Sequence, residues 1–303
     1  MGPTVFNLFM NDVFLHMSKE KSFLFNYADD NSVLVQGKTI DEVITNIKLS
    51  AEDIVQWCSE NQMEANQNKF QILIAGNSDL DINIDQNVSV KSEKSVKLLG
   101  VNLDNDLNFN DHINTIVRKA SRQLNCLKRI ANCLDLSVKL LLYKCFVLSN
   151  FNYCPVVWHA CGAINTKKLE KVQFRALKFV FSDYSSSYIE LLNRAKLPSL
   201  EVSRLRSFAI EVYKAYKKIS PSYINNLVEQ HKSGYNLRKR DKNIMIRPNR
   251  TTKYGLHSFR HTGGMLWNAL PEEYKGAKDL KTFKLLIQTW SGGPLCSCTL
   301  CRQ

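Results

Sequence analysis

The sequence predicts an α+β chain. A hairpin, a helix and a small antiparallel sheet fill the first third, and a mainly α-helical remainder follows. Three observations carry this. Two apolar, strand-like runs, Ser22–Asn26 and Ser32–Val35, flank a tight bend at Ala28-Asp29-Asp30, the pattern of two paired strands. Apolar residues recur at helical spacing between Ile40 and Val55, and again in several segments after residue 110. Charge is divided in the same way. Residues 1–100 hold 8 Lys+Arg against 14 Asp+Glu, a net of −6, while residues 101–303 hold 33 against 14, a net of +19.

Taken in order, residues 1–17 read as one helix, with Val5, Phe6, Leu8, Phe9 and Val13 apolar. Two strands, Ser22–Asn26 and Ser32–Val35, enclose the Asp29-Asp30 pair. Thr39-Ile40-Asp41-Glu42 is a capping box, and the helix it opens runs to about Glu60. Phe70–Ala75 reads as a strand, Asp81–Asp85 and Val88–Val90 as a hairpin, and Val96–Leu103 as a strand bent at Gly100. Beyond it, Ile113, Ile116, Val117, Ala120, Leu124 and Leu127 form an apolar stripe, with Arg118, Lys119, Arg122, Lys128 and Arg129 off it. Leu136–Leu148 is apolar on most faces and reads as a buried helix. Thr166–Phe181 and Leu200–Ile219 read as amphipathic helices. Residues 233–253, which contain Arg238, Lys239 and Arg240, form a basic run without helical period and read as a loop or linker.

The charge division suits an acidic, metal-binding front and a basic, polyanion-binding back. No apolar run reaches the ~20 residues needed to span a bilayer, and the N-terminus lacks the basic start of a signal peptide. Nine cysteines, six of them scattered through apolar segments, suggest buried thiols in a reducing, intracellular compartment, nucleus or cytoplasm. The other three, Cys296, Cys298 and Cys301, crowd the end of the chain. They would supply three of the four ligands of a structural zinc site, with no His following. An unstructured tail is the alternative.

Asp29 and Asp30 are the residues best suited to chemistry. Carboxylate oxygens on a rigid hairpin tip suit Mg²⁺, which takes one or two carboxylates together with substrate phosphates. An Asp-Asp pair alone is expected about once by chance in a chain of this length, and Asp is common in ordinary turns. The flanking residues sharpen the signal. Tyr27-Ala28-Asp29-Asp30 resembles the catalytic box of reverse transcriptases, in the form found in non-LTR retrotransposons of the jockey-like branch. Gly2-Pro3-Thr4-Val5-Phe6 resembles the tail of the Gly-Pro-x-x-Phe helix beneath template and incoming nucleotide. Trp57, Asn61, Asn66 and Lys69 resemble the next block, and Leu98-Leu99-Gly100-Val101-Asn102-Leu103-Asp104 the primer-grip region. Tyr153-Cys154-Pro155-Val156-Val157-Trp158 resembles a Tyr-x-Pro-x-x-Trp thumb block, and Trp267-Asn268-Ala269-Leu270-Pro271 a Trp-Asn-x-Leu-Pro block near the end of these reading frames.

The resemblance implies a partial polymerase palm over residues 1–108, a helical thumb or connection over 109–230, and a basic C-terminal region with a Cys-rich tail over 231–303. It implies an RNA-directed DNA polymerase that adds deoxynucleotides with Mg²⁺ or Mn²⁺, its partners being an RNA template, a DNA primer and deoxynucleoside triphosphates. Asp29, Asp30 and Lys69 would be catalytic. Lys69 would approach the leaving pyrophosphate, although by residue type it reads equally well as an exposed strand-edge lysine. Tyr27, Gly2, Pro3, Leu99 and Gly100 would meet nucleotide or primer. Arg118, Lys119, Arg122, Arg238, Lys239 and Arg240 are expected phosphate contacts. In the family, fingers and the first half of the palm precede the Gly-Pro helix and supply a further catalytic Asp. Met1 precedes Gly2-Pro3 here, so the expectation is a C-terminal part that is inactive alone. The alternative is a non-catalytic RNA- or DNA-binding remnant or domesticated protein.

Overall fold

The computed structural model describes residues 2–17, 22–76, 80–85, 88–229, 244 and 254–292. The chain divides into two compact units, Met1–Leu98 with Leu103–Asp106, and Leu99–Asn102 with Leu107–Gln303. Helices and small antiparallel sheets together make it α+β, as the sequence predicts.

In the first unit the expected opening helix is two, α1 (Gly2–Met10) and α2 (Val13–His16). The break falls at Asn11-Asp12, residue types whose side chains compete with helical backbone bonds. Strands β1 (Ser22–Tyr27) and β2 (Asp30–Val35) pair antiparallel from Ser22↔Val35 to Tyr27↔Asp30. Helix α3 (Ile40–Glu60) starts as its capping residues predict. The Thr39 hydroxyl accepts from the Glu42 amide at 3.2 Å, and the Glu42 carboxylate accepts from the Lys38 amide at 2.7 Å, one residue ahead of the usual reciprocal bond.

Two small cores lie against α3. Trp57 is buried with Met10 and Val13, with Leu24, Cys58 and Met63 packed around them. Ile44, Ile47 and Ala51 meet Ile72, Ile74, Ile82 and Ile84. The last two belong to β3 (Asp81–Asp85), which pairs antiparallel with β4 (Val88–Lys91), the expected hairpin.

Two strand expectations need correction. Phe70–Ala75 is not a strand. Its backbone is tied by one parallel bridge, Ile72↔Ser92, and by the Glu93 amide donating to the Ile72 carbonyl at 2.8 Å. Its alternating Ile72 and Ile74 are buried all the same, and that burial is what made it look like a strand. Val96–Leu103 is two paired strands, β5 (Ser95–Leu98) and β6 (Val101–Asp104). Leu99 (φ +44°) and Gly100 (φ +85°) reverse the chain between them, a pair of left-handed residues suited to a tight hairpin turn.

The second unit is helical. Helix α4 (Asn110–Arg129) buries Ile113, Ile116, Ala120, Leu124 and Leu127. Helix α5 (Leu136–Leu142) continues through a π-turn at Tyr143–Val147 and a 3₁₀ turn at Leu148–Phe151. This stretch was expected to be buried throughout. Instead Leu136, Leu141 and Phe146 are exposed, and only Tyr143, Val147 and Phe151 face inward. The π-turn adds a residue to one turn and so rotates the apolar set away from a single buried face.

Helix α6 (Gly162–Phe181) packs along α4 through a ladder of polar contacts. Asn165 donates to Asn110 at 2.7 Å, Lys168 to Asn114 at 3.0 Å and Arg175 to Ser121 at 3.0 Å. Residue numbers rise together along both helices, so α4 and α6 run in the same direction. Helix α7 (Tyr188–Ala195) begins with a complete capping box between Ser187 and Glu190.

Helix α8 (Leu200–Tyr216) has its first amides satisfied by the Ser199 hydroxyl and by the Glu170 carboxylate of α6, which also accepts the Tyr188 hydroxyl. Phe208, Val212 and Tyr213 of α8 share a core with α10 (Phe259–Ala269) and α12 (Leu280–Thr289), centred on Trp267 and Phe283. Short helices α9 (Ser222–Asn225) and α11 (Glu272–Lys275) join them. A Cβ at Gly263 would stand 3.0 Å from Val212, so glycine lets α10 approach α8 this closely. Asn268 accepts from the Ile244 amide and donates to its carbonyl, both at 2.9 Å.

The expectation of buried thiols holds only in part. Cys161 is buried and Cys58 half-buried, but Cys126, Cys133, Cys145 and Cys154 are exposed. No helix among the described residues is long and apolar enough to cross a membrane.

Candidate functional site

Register builds the carboxylate site. Tyr27 and Asp30 form the last cross-strand pair, leaving Ala28 and Asp29 as a two-residue loop. Asp30 is therefore the first residue of β2 rather than part of the bend. Ala28 sits at φ +54°, a left-handed conformation that costs an L-residue roughly 1–2 kcal/mol. Strain of this kind tends to collect where function needs one particular backbone path.

The tip residues Tyr27 to Asn31 are all exposed, Tyr27 at 68%. The hairpin's inner face rests on the unit: Leu24 joins the Trp57 core, and the Asn26 amide donates to the Met10 carbonyl at 3.4 Å. The outer face shows Phe23, Phe25, Tyr27 and Leu34, each about half exposed or more. Neither the Asp29 nor the Asp30 carboxylate is hydrogen-bonded or ion-paired among the described residues. Their oxygens are free for a hard cation, and the donor set fits Mg²⁺ or Mn²⁺. Among the described residues no group of three or more His, Cys, Asp or Glu side chains gathers to hold a metal.

The other expected residues are spread along the chain. Gly2 and Pro3 open α1 and are exposed. Lys69 ends a 3₁₀ turn, Gln67–Lys69, after the α3 helix, and is exposed, with no bond to Asp29 or Asp30. Leu99 and Gly100 make the β5–β6 turn. Arg238, Lys239, Arg240, Cys296, Cys298 and Cys301 lie outside the described residues.

Arg118, Lys119 and Arg122 are brought together. With Thr115 and Gln123 they line one open recess on α4, exposed and without an ion-pair partner among the described residues. Lys168 and Arg175 of α6 extend this basic surface through their bonds to α4, and Lys171 stands exposed between them in sequence. The sequence reading passed over these three. Their spacing at i, i+3 and i+7 was the available signal.

The Tyr153–Trp158 block also had a sharper role than its resemblance suggested. Trp158 is fully buried, and its indole N–H donates to the Tyr153 carbonyl at 2.9 Å. The Tyr153 hydroxyl donates to the Leu99 carbonyl at 2.5 Å. His112, its pKa lowered by burial, offers neutral Nδ1 to the Asn102 amide at 3.4 Å and stacks obliquely on Trp158.

With this geometry in place, comparison with known proteins gives a consistent resemblance. Residues 1–103 match the family Reverse transcriptase (RNA-dependent DNA polymerase). The match covers the carboxylate hairpin, the turn at Gly100 and the α3 helix. The relatives then bear out the expected branch. Over 240 residues the chain is 24% identical to the RNA-directed DNA polymerase from mobile element jockey of Drosophila funebris, covering 76% of this chain and 26% of that protein. It is 23% identical over 189 residues to the jockey polymerase of Drosophila melanogaster, covering 59% of this chain and 20% of the relative. It is 22% identical over 193 residues to the probable RNA-directed DNA polymerase from transposon BS of the same species. The chain thus resembles the reverse transcriptases of jockey-like retrotransposons, and it spans a fifth to a quarter of the length of these three relatives. No solved structure matches it.

Proposed function

We propose that this chain is part of an RNA-directed DNA polymerase of a jockey-like non-LTR retrotransposon. Residues 1–108 would form the later half of its palm, residues 109–230 its helical thumb or connection, and residues 231–303 the basic continuation. The observation that carries the reading is the unpaired Asp29–Asp30 carboxylate pair, held on a strained two-residue hairpin tip inside the segment that matches the family. The activity would act on a DNA primer, an RNA template and deoxynucleoside triphosphates, inside the cell.

Asp29 and Asp30 would hold Mg²⁺ or Mn²⁺. When bound, the ion polarises phosphate oxygens and favours the deprotonated form of a hydroxyl nucleophile. The chain's own residues do the rest. The hairpin sets the backbone path that carries the two carboxylates. Tyr27, opposite Asp30, presents an aromatic face beside them. Lys69, an exposed cation in the same unit, would stabilise charge developing on a leaving pyrophosphate. The Arg118, Lys119 and Arg122 surface would hold the nucleic-acid backbone without reading its sequence.

A second reading follows from the carboxylate count. Two-metal phosphoryl transfer needs carboxylates around both ions, and the tip supplies two from one edge. The chain by itself would then hold primed template without extending it, and the further carboxylate would come from polymerase sequence beyond these 303 residues. The discriminating experiment is primer extension on a primed RNA template in Mg²⁺ or Mn²⁺, with this chain and with a polypeptide as long as the jockey relatives, each beside Asp29→Asn. Extension by the longer protein that vanishes in Asp29→Asn supports the polymerase reading. Equal rates with and without the substitution would refute it.

A further inference from the structure

The turn between β5 and β6 is held in an unfavourable shape by residues far away in the chain. Leu99 is left-handed at φ +44°, a conformation that a γ-branched residue rarely adopts, and its side chain is 43% exposed. Gly100 follows at φ +85°. The Leu99 carbonyl is held from far along the chain: it accepts the Tyr153 hydroxyl across 54 residues of sequence. Its ring lies under Gly100, so closely that a Cβ there would stand 3.3 Å from the ring edge.

Tyr153 itself is fixed from behind. Its carbonyl takes the indole N–H of Trp158, which is fully buried, and the Arg204 guanidinium stands 5.4 Å over the Trp158 ring. His112 touches the same Trp158 ring and holds the Asn102 amide, just past the turn. Both ends of the turn are therefore tied to one buried tryptophan, through Tyr153 on one side and His112 on the other.

We propose that Tyr153 is a positioning residue for the Leu99–Gly100 turn, holding it in the one conformation in which it can meet a nucleic-acid strand. This deepens the polymerase reading above and rests on it. Tyr153 acts through the Leu99 carbonyl and the ring support beneath Gly100. The exposed Leu99 side chain and the turn backbone are the contact surface, and their occupant is the primer–template duplex.

The test uses the full chain with Tyr153→Phe, which removes the hydroxyl and keeps the ring, and Gly100→Ala, which pushes a Cβ at that ring from a left-handed position. Amide hydrogen exchange of residues 99–102 is measured beside binding of a primed RNA–DNA duplex across a salt series. Thermal melting checks that both variants fold. Expected for Tyr153→Phe is exchange at the turn faster by about tenfold, as for loss of one hydrogen bond, with weaker binding of the duplex. The slope of affinity against salt should not change, because no charge is lost. Gly100→Ala should weaken binding in the same way. Unchanged exchange in Tyr153→Phe would overturn the positioning role. Faster exchange with unchanged affinity in both variants would overturn the duplex as the turn's occupant. Failure of the wild-type chain to bind the duplex at all would defeat the polymerase reading and this inference with it, and the exchange data would still show whether Tyr153 holds the turn.

Discussion

Tyr27 and Asp30 stand opposite each other as the last cross-strand pair of the carboxylate hairpin, with Ala28 and Asp29 alone beyond them. That pairing fixes which carboxylate belongs to the loop and which to the strand. Asp29 moves with the loop, and Asp30 with the sheet. In a polypeptide as long as the jockey relatives, Asp29→Asn and Asp30→Asn should each lower primer extension by on the order of 10²–10³-fold or more, as for loss of a group that stabilises transition-state charge. Steady-state rates with near-wild-type extension in either variant would exclude that carboxylate from the chemistry.

The strained loop residue makes a stability prediction of opposite sign. Ala28 has φ +54°, where glycine is at ease and β-branched residues are not. Ala28→Gly should raise stability by about 0.5–1 kcal/mol and Ala28→Val should lower it by at least about 1 kcal/mol. Chemical denaturation of the purified chain would show either shift. A loss in Ala28→Gly would mean the loop is not held left-handed in solution.

On α4, Arg118 and Arg122 stand exposed in one recess with Lys119. Replacing either by Ala should weaken binding to primed template at every sequence tested and lower the slope of log affinity against log salt by about 1. An unchanged slope would place the duplex elsewhere. Substitution of Leu285 on α12, exposed and far along the chain, serves as the neutral control.

His159 gives the helical unit a pH dependence. Burial, with Arg204 and His257 nearby, depresses its pKa to about 4. An unfolded histidine titrates near ~6.5. The folded state therefore accommodates the neutral ring, and stability is full above that value. As pH falls from about 6.5 toward 4, the unfolded chain takes up the proton first, and stability declines by up to about 3 kcal/mol. His112, also depressed by burial, adds a loss of the same sign. Denaturation curves at pH 7.5, 6 and 5 on wild type and His159→Leu provide the check. Parallel decline in both would assign the effect to other groups.

Trp267 is fully buried, stacked with Tyr216 at 4.6 Å and close to Tyr213 and Phe283. Trp267→Ala should cost about 3–5 kcal/mol and leave the helical unit partly unfolded at body temperature. A shift in melting of only one or two degrees would mean the cavity collapses around the site.

The local signals in the sequence held where one rule dominated. Thr39 and Glu42 located the start of α3, and the apolar stripe from Ile113 to Leu127 located α4, because capping and amphipathic burial are both local. They failed where two rules met. Val96–Leu103 reads like one strand, but two left-handed residues fold it back, and the Leu99 carbonyl there is bonded by Tyr153, far along the chain. Phe70–Ala75 buries alternate isoleucines without a partner strand to complete it. The hairpin that carries Asp29 and Asp30 was legible from its two apolar flanks, because a tight turn between strands leaves its mark in sequence. The α4–α6 basic surface was half legible, since its second half depends on which helix lies alongside.

That last relationship bears on how the protein assembles. The rungs Asn110–Asn165, Asn114–Lys168 and Ser121–Arg175 each join residues 54 or 55 apart. Two helices that run the same way cannot zip from a shared turn, as an antiparallel pair can. The first rung to form must close a loop of that size and bears nearly all of the chain entropy of doing so. Each later rung then adds little further cost, so the ladder should appear in one step or not at all. The basic surface would have no half-built form. It would arrive late, with the segment between the two helices already threaded back, and it would be lost in the same all-or-none manner.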